Sequence, residues 1–388
     1  MSEHCILRAQ SCAADAREAV REFHEAVSQA EMALVIFFCS SSYDLEALGD
    51  EMRSRFSGVL VVGCTTFGEI GPCGYTEHSL TGASFAAHDF WAVSGCVENL
   101  QGFTVTDGNA RTQELLRQLE RQTPQNESWK SFGLMLIDGL SMREEIVTRC
   151  FQDALGHIPL AGGSASNYDE IHSAQVYADG IFHPNSAVLT LISTRLPFKL
   201  FKTQNFVTTE QRMVITEADP SKRKVMEING LPAAKEYGRM VGMDADNLGP
   251  YRFAAWPLVV LIDGTSYVRS IKRVNVDNSL SFWCAIEDGL VLRVARSVNL
   301  VENLEQAYAE VRAKIGAPQL VIVWECCLRK VEINRSSLAG IVGEIHERNN
   351  AVGFVTFGEQ LQGVHINQTL VGIAIGEAQM EASNAGGA

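Results

Sequence analysis

No long basic run occurs in this chain, whose formal net charge is -14. A general affinity for nucleic acid or for an anionic membrane therefore has no electrostatic basis. No window approaches eighteen uninterrupted apolar residues, and the stretch from Met1 to Asp15 has neither a basic start followed by an apolar run nor a small-residue cleavage site. The chain reads as cytoplasmic, neither exported nor inserted in a membrane. A CxxC pair, a c-type haem attachment motif, a G-x-S-x-G elbow, a P-loop, an H-E-x-x-H pair and a dinucleotide-binding fingerprint are all missing. Their absence removes the common hydrolase, nucleotide-binding and structural-zinc readings. Ten cysteines are present, and in a large chain without a secretory signature they are expected to stay reduced.

What is there is a folded, repetitive chain. Hydrophobic residues make up 46% and charged residues 20% of the 388, a globular composition long enough for two domains. Leu34-Val35-Ile36-Phe37-Phe38-Cys39 and Leu320-Val321-Ile322-Val323-Trp324-Glu325-Cys326 each read as a buried strand followed by a helix-period segment. Next come Val62-Gly63-Cys64-Thr65-Thr66-Phe67-Gly68-Glu69 and Val352-Gly353-Phe354-Val355-Thr356-Phe357-Gly358-Glu359, identical at six of eight positions. A looser third copy runs from Leu134 through a helical stretch, Glu144 to Leu155, into Ile158 to Ala165 with Gly162 and Gly163. Strand, helix, strand at this spacing joins parallel strands, so the fold class is α/β, with Gly-rich strand ends opening on one side.

The crevice at those ends would be lined by Gly63, Gly68, Glu69, Gly162, Gly163, Gly358 and Glu359. Each glycine equally suits a plain turn, and each glutamate equally suits local backbone bonding. A boundary falls in the polar stretch Glu217 to Arg223, giving domains of 1–220 and 221–388. Val301, Leu304, Tyr308, Val311 and Ile315 form the core-facing stripe of a helix, and the small polar tail from Ala382 reads as disordered. Cys39, Cys64 and Cys326 sit in or beside buried strands, where a thiol is a small hydrophobe. An enzyme with a nucleophile at Cys39 or Cys64 is the weakest reading, and none is expected.

Nine histidines offer the neutral imidazole that a haem iron would need. His4 lies in the terminus, and His24 and His346 lie on helices among charged residues, where an exposed position is expected. His183 precedes Pro184, which extends its backbone between two strand-like stretches, and is the first candidate for the metal; His172 and His365 are the alternatives.

The strand ending Phe38-Cys39-Ser40, the Val62 to Ile70 stretch, Ala161-Gly162-Gly163-Ser164-Ala165, Ile228-Asn229-Gly230 with Pro232-Ala233, and Gly353-Phe354 through Glu359 with Asn367-Gln368-Thr369 occur in one order. That ordered set resembles the FIST family over nearly the whole chain, with a FIST N part and a FIST C part. A free-standing chain of this size is similar to the nitric oxide sensing FIST proteins called NosP. The resemblance implies a sensory signal-transduction protein with a b-type haem whose iron binds nitric oxide. It also implies a partner histidine kinase and, through it, cyclic-di-GMP and biofilm signalling. Two alternatives stay open: a FIST module that senses a small metabolite such as an amino acid without haem, and one that senses labile haem itself. A homo-oligomer is left open too.

Overall fold

The computed structural model describes residues 5–124, 128–168, 174–262 and 264–377. In it the repeat occurs three times. The first copy comprises β1 (Ile6–Ser11), α1 (Ala16–Val27), β2 (Met32–Ser40), α2 (Leu45–Arg55), β3 (Val61–Thr66), the hairpin β4 (Glu69–Gly71) and β5 (Gly74–Thr76), and β6 (Leu80–Ala86). The second comprises β7 (Phe90–Val97), α3 (Val105–Gln122), β8 (Lys130–Asp138), α4 (Glu144–Leu155), β9 (Leu160–Ala165), the hairpin β10 (Gln175–Ala178) and β11 (Ile181–Pro184), and β12 (Ala187–Thr194).

The third copy opens with β13 (Phe198–Thr203) and is interrupted by an insert. The insert holds β14 (Phe206–Asp219), β15 (Lys224–Ile228), β16 (Leu231–Pro232), α5 (Ala233–Val241), α6 (Pro250–Ala255), β17 (Leu258–Ile262), β18 (Thr265–Arg269), β19 (Ile271–Val274), β20 (Leu280–Phe282) and β21 (Val291–Ser297). The copy resumes with α7 (Leu300–Ile315), β22 (Pro318–Cys326), α8 (Cys327–Arg335), α9 (Ala339–Arg348), β23 (Ala351–Thr356), the hairpin β24 (Glu359–Leu361) and β25 (Val364–Ile366), and β26 (Leu370–Gly376).

The hairpins do not stay with their own sheets. The three six-stranded sheets run β1-β6-β2-β3-β10-β11, β7-β12-β8-β9-β24-β25 and β13-β26-β22-β23-β4-β5. Each copy thus lends its hairpin to the one before it in the chain, the first lending to the third, in a closed cycle, and each loan covers the strand edge of β3, β9 or β23 that would otherwise lie open. The register repeats: Gly63 faces Tyr177, Gly162 faces Gln360 and Gly353 faces Ile70. On the other side, the same glycines face Phe37, Met135 and Val323 across parallel pairs. A Cβ there would lie 2.5, 2.0 and 1.8 Å from those partners' carbonyl oxygens, so the recurring glycine is required by strand packing.

One apolar face of every sheet turns into a shared interior, where Phe38, Val62, Leu134, Leu136, Ile322, Trp324 and Phe354 belong to a single cluster. The outer faces are covered by α1 and α2, by α3 and α4, and by α7 and α9, each pair with its own apolar layer. Asp15, Asp44, Thr104 and Asn299 cap α1, α2, α3 and α7 by accepting N–H bonds of the first turn. The stripe read on Leu304, Tyr308, Val311 and Ile315 is buried on α7. The insert forms an eight-stranded sheet with its own core. The polar stretch Glu217 to Arg223 lies within the insert, at the end of β14 and the turn into β15, to which β14 is paired. The tail from Ala382 lies outside the described residues. No described helix is long and apolar enough to cross a membrane.

Candidate functional site

The carboxyl ends of β3, β9 and β23 meet at one pole. Ser166 donates its backbone N–H to the Thr65 carbonyl (3.0 Å) and its hydroxyl to that of Val355 (2.6 Å), while Ser164 N–H reaches the Gly358 carbonyl (2.8 Å). At the root of each exchanged hairpin of the first and third copies sits a fully buried glutamate. Glu69 accepts from the Thr66 hydroxyl and from the Ser79 hydroxyl (2.8 Å) and N–H (3.1 Å). Glu359 accepts from the Thr356 hydroxyl and from the Thr369 hydroxyl (2.6 Å) and N–H (3.4 Å). Burial pushes Glu69 up to about 7 and Glu359 well above the ordinary range, against these bonds. Both glutamates are staples that close the hairpin root.

The glycines divide. Gly63 and Gly162 lie inside strands, and Gly163 packs where a Cβ would stand 2.2 Å from Trp324 Cδ1. Gly68 and Gly358 lie at the pole. A Cβ on Gly68 would meet Lys330 Nζ at 2.6 Å, and one on Gly358, whose φ is +152°, would meet His365 Cε1 at 2.3 Å. Only Gly at 358 allows the backbone to pass so close to the imidazole.

Aromatic rings cross the pole. Trp283 of the insert stacks on Phe357 (4.8 Å, 21°), Phe357 on Phe67 (5.6 Å, 30°), and Tyr168 meets Phe67 edge-on and His78 face-on. Lys272 lies 4.0 Å over Trp283. Beside the rings, Arg223 of the insert donates to Glu144, to Glu145 and to the Trp283 carbonyl, all at 2.6 Å, and the Ala285 N–H donates to Glu145 at 2.6 Å. Burial, opposed by Arg223 and reinforced by Glu145, raises Glu144 to about 7. Burial acts the same way on Glu145, but His365, Arg223 and the N–H bonds outweigh it and hold that carboxyl low. The insert is therefore clamped on the pole by one arginine, two carboxylates and one stacked indole. Its two connections are tied together as well: Val298 N–H donates to the Asn205 carbonyl (2.7 Å), and Arg329 to the Asn205 side chain (2.7 Å).

Under this clamp lies a polar layer. The third hairpin and its return carry Gln360, His365, Asn367 and Gln368 where the first copy, in the same register, has Ile70, Tyr75, Glu77 and His78. All four are buried. Gln360 donates to Ser164 Oγ (2.8 Å) and faces His365 Nδ1 (3.1 Å), and Gln368 donates to the carbonyls of Phe253 and Ala254 in the insert. Yet Gln360 Oε1, His365 Nε2, Asn367 Oδ1 and Gln368 Oε1 have no hydrogen-bond partner among the described residues. Buried polar atoms that lack partners call for water or a ligand. Burial and the nearby Arg223 and Arg269, against Glu145, lower His365 to about 4, so its ring is neutral at physiological pH.

The other candidates are scattered. His172 lies outside the described residues. His183 is part of β11, at the edge of a different sheet from the third hairpin, with Nε2 against the Ala178 carbonyl (3.2 Å) and Nδ1 against Glu98 (3.1 Å). His346 is not exposed as the charges around it suggest: it is fully buried, bonded through Nδ1 to the Tyr308 hydroxyl (2.8 Å), and burial lowers it to about 3. The flanking charges point outward while the histidine fills the inner face of α9. Cys39, Cys64 and Cys326 are buried, and burial pushes their thiols well up.

A haem does not fit these histidines as they are arranged. His183 has Nε2 against the Ala178 carbonyl and Nδ1 against Glu98, and His365 packs against Gly358 so closely that an added Cβ there would stand 2.8 Å from Nε2. Among the described residues, no histidine lines the cavities of about 270 and 240 Å³ beside α2 or that of about 570 Å³ on the insert. The residues that sequence reasoning missed are those of the insert and of α4: Arg223, Trp283, Glu144 and Glu145. A signal did exist on the third hairpin itself, where Gln360 and His365 stand in place of Ile70 and Tyr75 of the first.

No curated protein matches the chain closely enough to be named. Family comparison matches residues 33–231 to the FIST N domain and residues 233–362 to the FIST C domain. With most of its length so matched, the chain belongs to the FIST family of small-ligand sensory domains in signal transduction.

Proposed function

We propose that this FIST protein senses a small polar metabolite, bound without haem in the layer between the third hairpin and the insert. The observation that carries the reading is the row of partnerless buried atoms on Gln360, His365, Asn367 and Gln368. If Gln360 donates to His365 Nδ1, the ring proton sits on Nε2, and the layer then offers one N–H donor and three amide oxygens. That set suits a ligand with a donor-rich head and one acceptor, as an amino acid has. Ligand bound there would touch both the pole and the insert, so it would bias how the insert sits, and a partner protein would read that change. The partner implied by the resemblance is a histidine kinase.

The haem-based nitric oxide sensor, acting through such a kinase on cyclic-di-GMP and biofilm behaviour, is the second reading. The observation in its favour is the neutral, partnerless Nε2 of His365; it requires that edge to be uncovered. A thermal-shift screen of amino acids and amines on the purified protein, with its absorption spectrum recorded before and after haem titration, separates the two. A melting temperature raised by one compound class, with no Soret band, supports the metabolite site. A Soret band that moves with nitric oxide and is lost in His365→Ala overturns it.

A further inference from the structure

On the far side of the exchanged β10–β11 hairpin, Cys96 of β7, Glu98 just beyond it and His183 of β11 bring one ligand atom each within 4.8 Å of one another. Two chain segments supply them, the end of β7 and β11, and these belong to different sheets, since β7 is an edge of the second sheet and β11 an edge of the first. Their side chains differ in freedom: the His183 side chain is 11% exposed, whereas that of Glu98 is 67% exposed and can adjust its reach.

The His183 ring is already oriented as a ligand. Its Nε2 lies 3.2 Å from the Ala178 carbonyl, which can only accept, so Nε2 carries a proton. Metal-bound imidazoles are held in this way, with the second nitrogen donating to a backbone carbonyl. The lone pair of a neutral ring then sits on Nδ1, and Nδ1 faces the Glu98 carboxylate at 3.1 Å. Two lone pairs at that distance repel unless a proton or a metal cation lies between them. The charges nearby are the carboxylates of Glu98 and Asp179, opposed by Arg111.

We propose that Cys96, Glu98 and His183 bind a single divalent transition-metal ion of the zinc class, with a solvent molecule in the fourth position. One thiolate, one imidazole and one carboxylate are a donor set of borderline softness, which suits Zn²⁺ and disfavours Mg²⁺ or Ca²⁺. At bonds of about 2.0–2.3 Å the edges of such a tetrahedron are roughly 3.3–3.8 Å, against ligand atoms that already lie within 4.8 Å of one another. Burial, with Glu98 and Asp179, pushes the Cys96 thiol up to about 12, so binding releases that proton to solvent and weakens as pH falls. The ion would tie the lent hairpin to the edge strand of the copy that lends it, a link independent of the metabolite layer.

The test is titration of the chelator-treated full chain with Co²⁺, followed by competition with Zn²⁺. A thiolate-to-cobalt charge-transfer band that saturates at one ion per chain and is bleached by Zn²⁺ is the expected result. Cys96→Ser should abolish the band. His183→Gln should weaken binding by at least tenfold, and the exposed Glu98→Gln, which leaves the fold intact, should weaken it by several-fold. No band in the unmodified chain, or a band that survives both Cys96→Ser and Glu98→Gln unchanged, overturns the site. In the first case a His183–Glu98 ion pair accounts for the geometry. Ligand-induced thermal shifts at the pole should be retained in Glu98→Gln, which keeps the two sites distinguishable.

Discussion

Trp283 of the insert lies flat on Phe357 of the pole, ring centroids 4.8 Å apart and planes 21° apart, and Phe357 directly precedes the glycine that grazes His365. This stack joins the insert to the turn that carries the candidate layer. Trp283→Ala should destabilise the protein by about 3 kcal/mol, the lower end of the cost of truncating a buried large aromatic. Urea unfolding measures the loss. Hydrogen exchange should quicken in the insert before it does in the three-sheet core.

Arg223 is the only cation that bonds both Glu144 and Glu145 among the described residues. Its removal leaves a carboxylate pair buried against the insert, which costs about 3–5 kcal/mol for a broken buried pair. Arg223→Met should therefore open the insert to limited proteolysis near Asp219 to Arg223 at temperatures where the unmodified chain resists. Cleavage rates that match between the two would show that the clamp contributes nothing.

Glu69 sets a pH dependence of definite sign. Its carboxyl goes from an ordinary 4.5 to about 7 on folding, chiefly by burial. Below 4.5 both states are protonated. As pH rises from 4.5 to 7 the unfolded chain gives up this proton and the folded chain keeps it, so stability falls, by about 3 kcal/mol once pH exceeds 7. Glu69→Gln carries no such term. The difference in unfolding free energy, unmodified minus variant, should drop by about that amount between pH 4 and 8; a flat or rising difference contradicts the assignment.

Much of the fold was legible because each copy carries its own local signals. The helix read from Glu144 to Leu155 and the strand around Leu34 to Cys39 both coincide with elements of the structure. The Thr-Phe-Gly-Glu turn marks the first and third copies, and only the looser glycines mark the second. Hairpin exchange left no trace, because β4, β10 and β24 are three or four residues long and join foreign sheets through backbone bonds that no side chain announces. Glu69 and Glu359 were legible as paired residues and not as staples, since their partners Ser79 and Thr369 lie ten residues on. Arg223 reads as part of a boundary because polar and charged residues with Pro220 interrupt the apolar pattern there, while its partners Glu144 and Glu145 lie some eighty residues upstream.

The central claim is that the polar layer of the third hairpin holds a small donor-rich ligand. The most direct measurement is calorimetric titration of the best thermal-shift compound into the unmodified chain, Gln360→Met and Asn367→Leu. The account predicts stoichiometric binding that worth about 2.7 kcal/mol of added stability at a hundredfold excess over Kd, lost by at least tenfold in affinity in both variants while their folds persist. Undiminished affinity in both variants would contradict it.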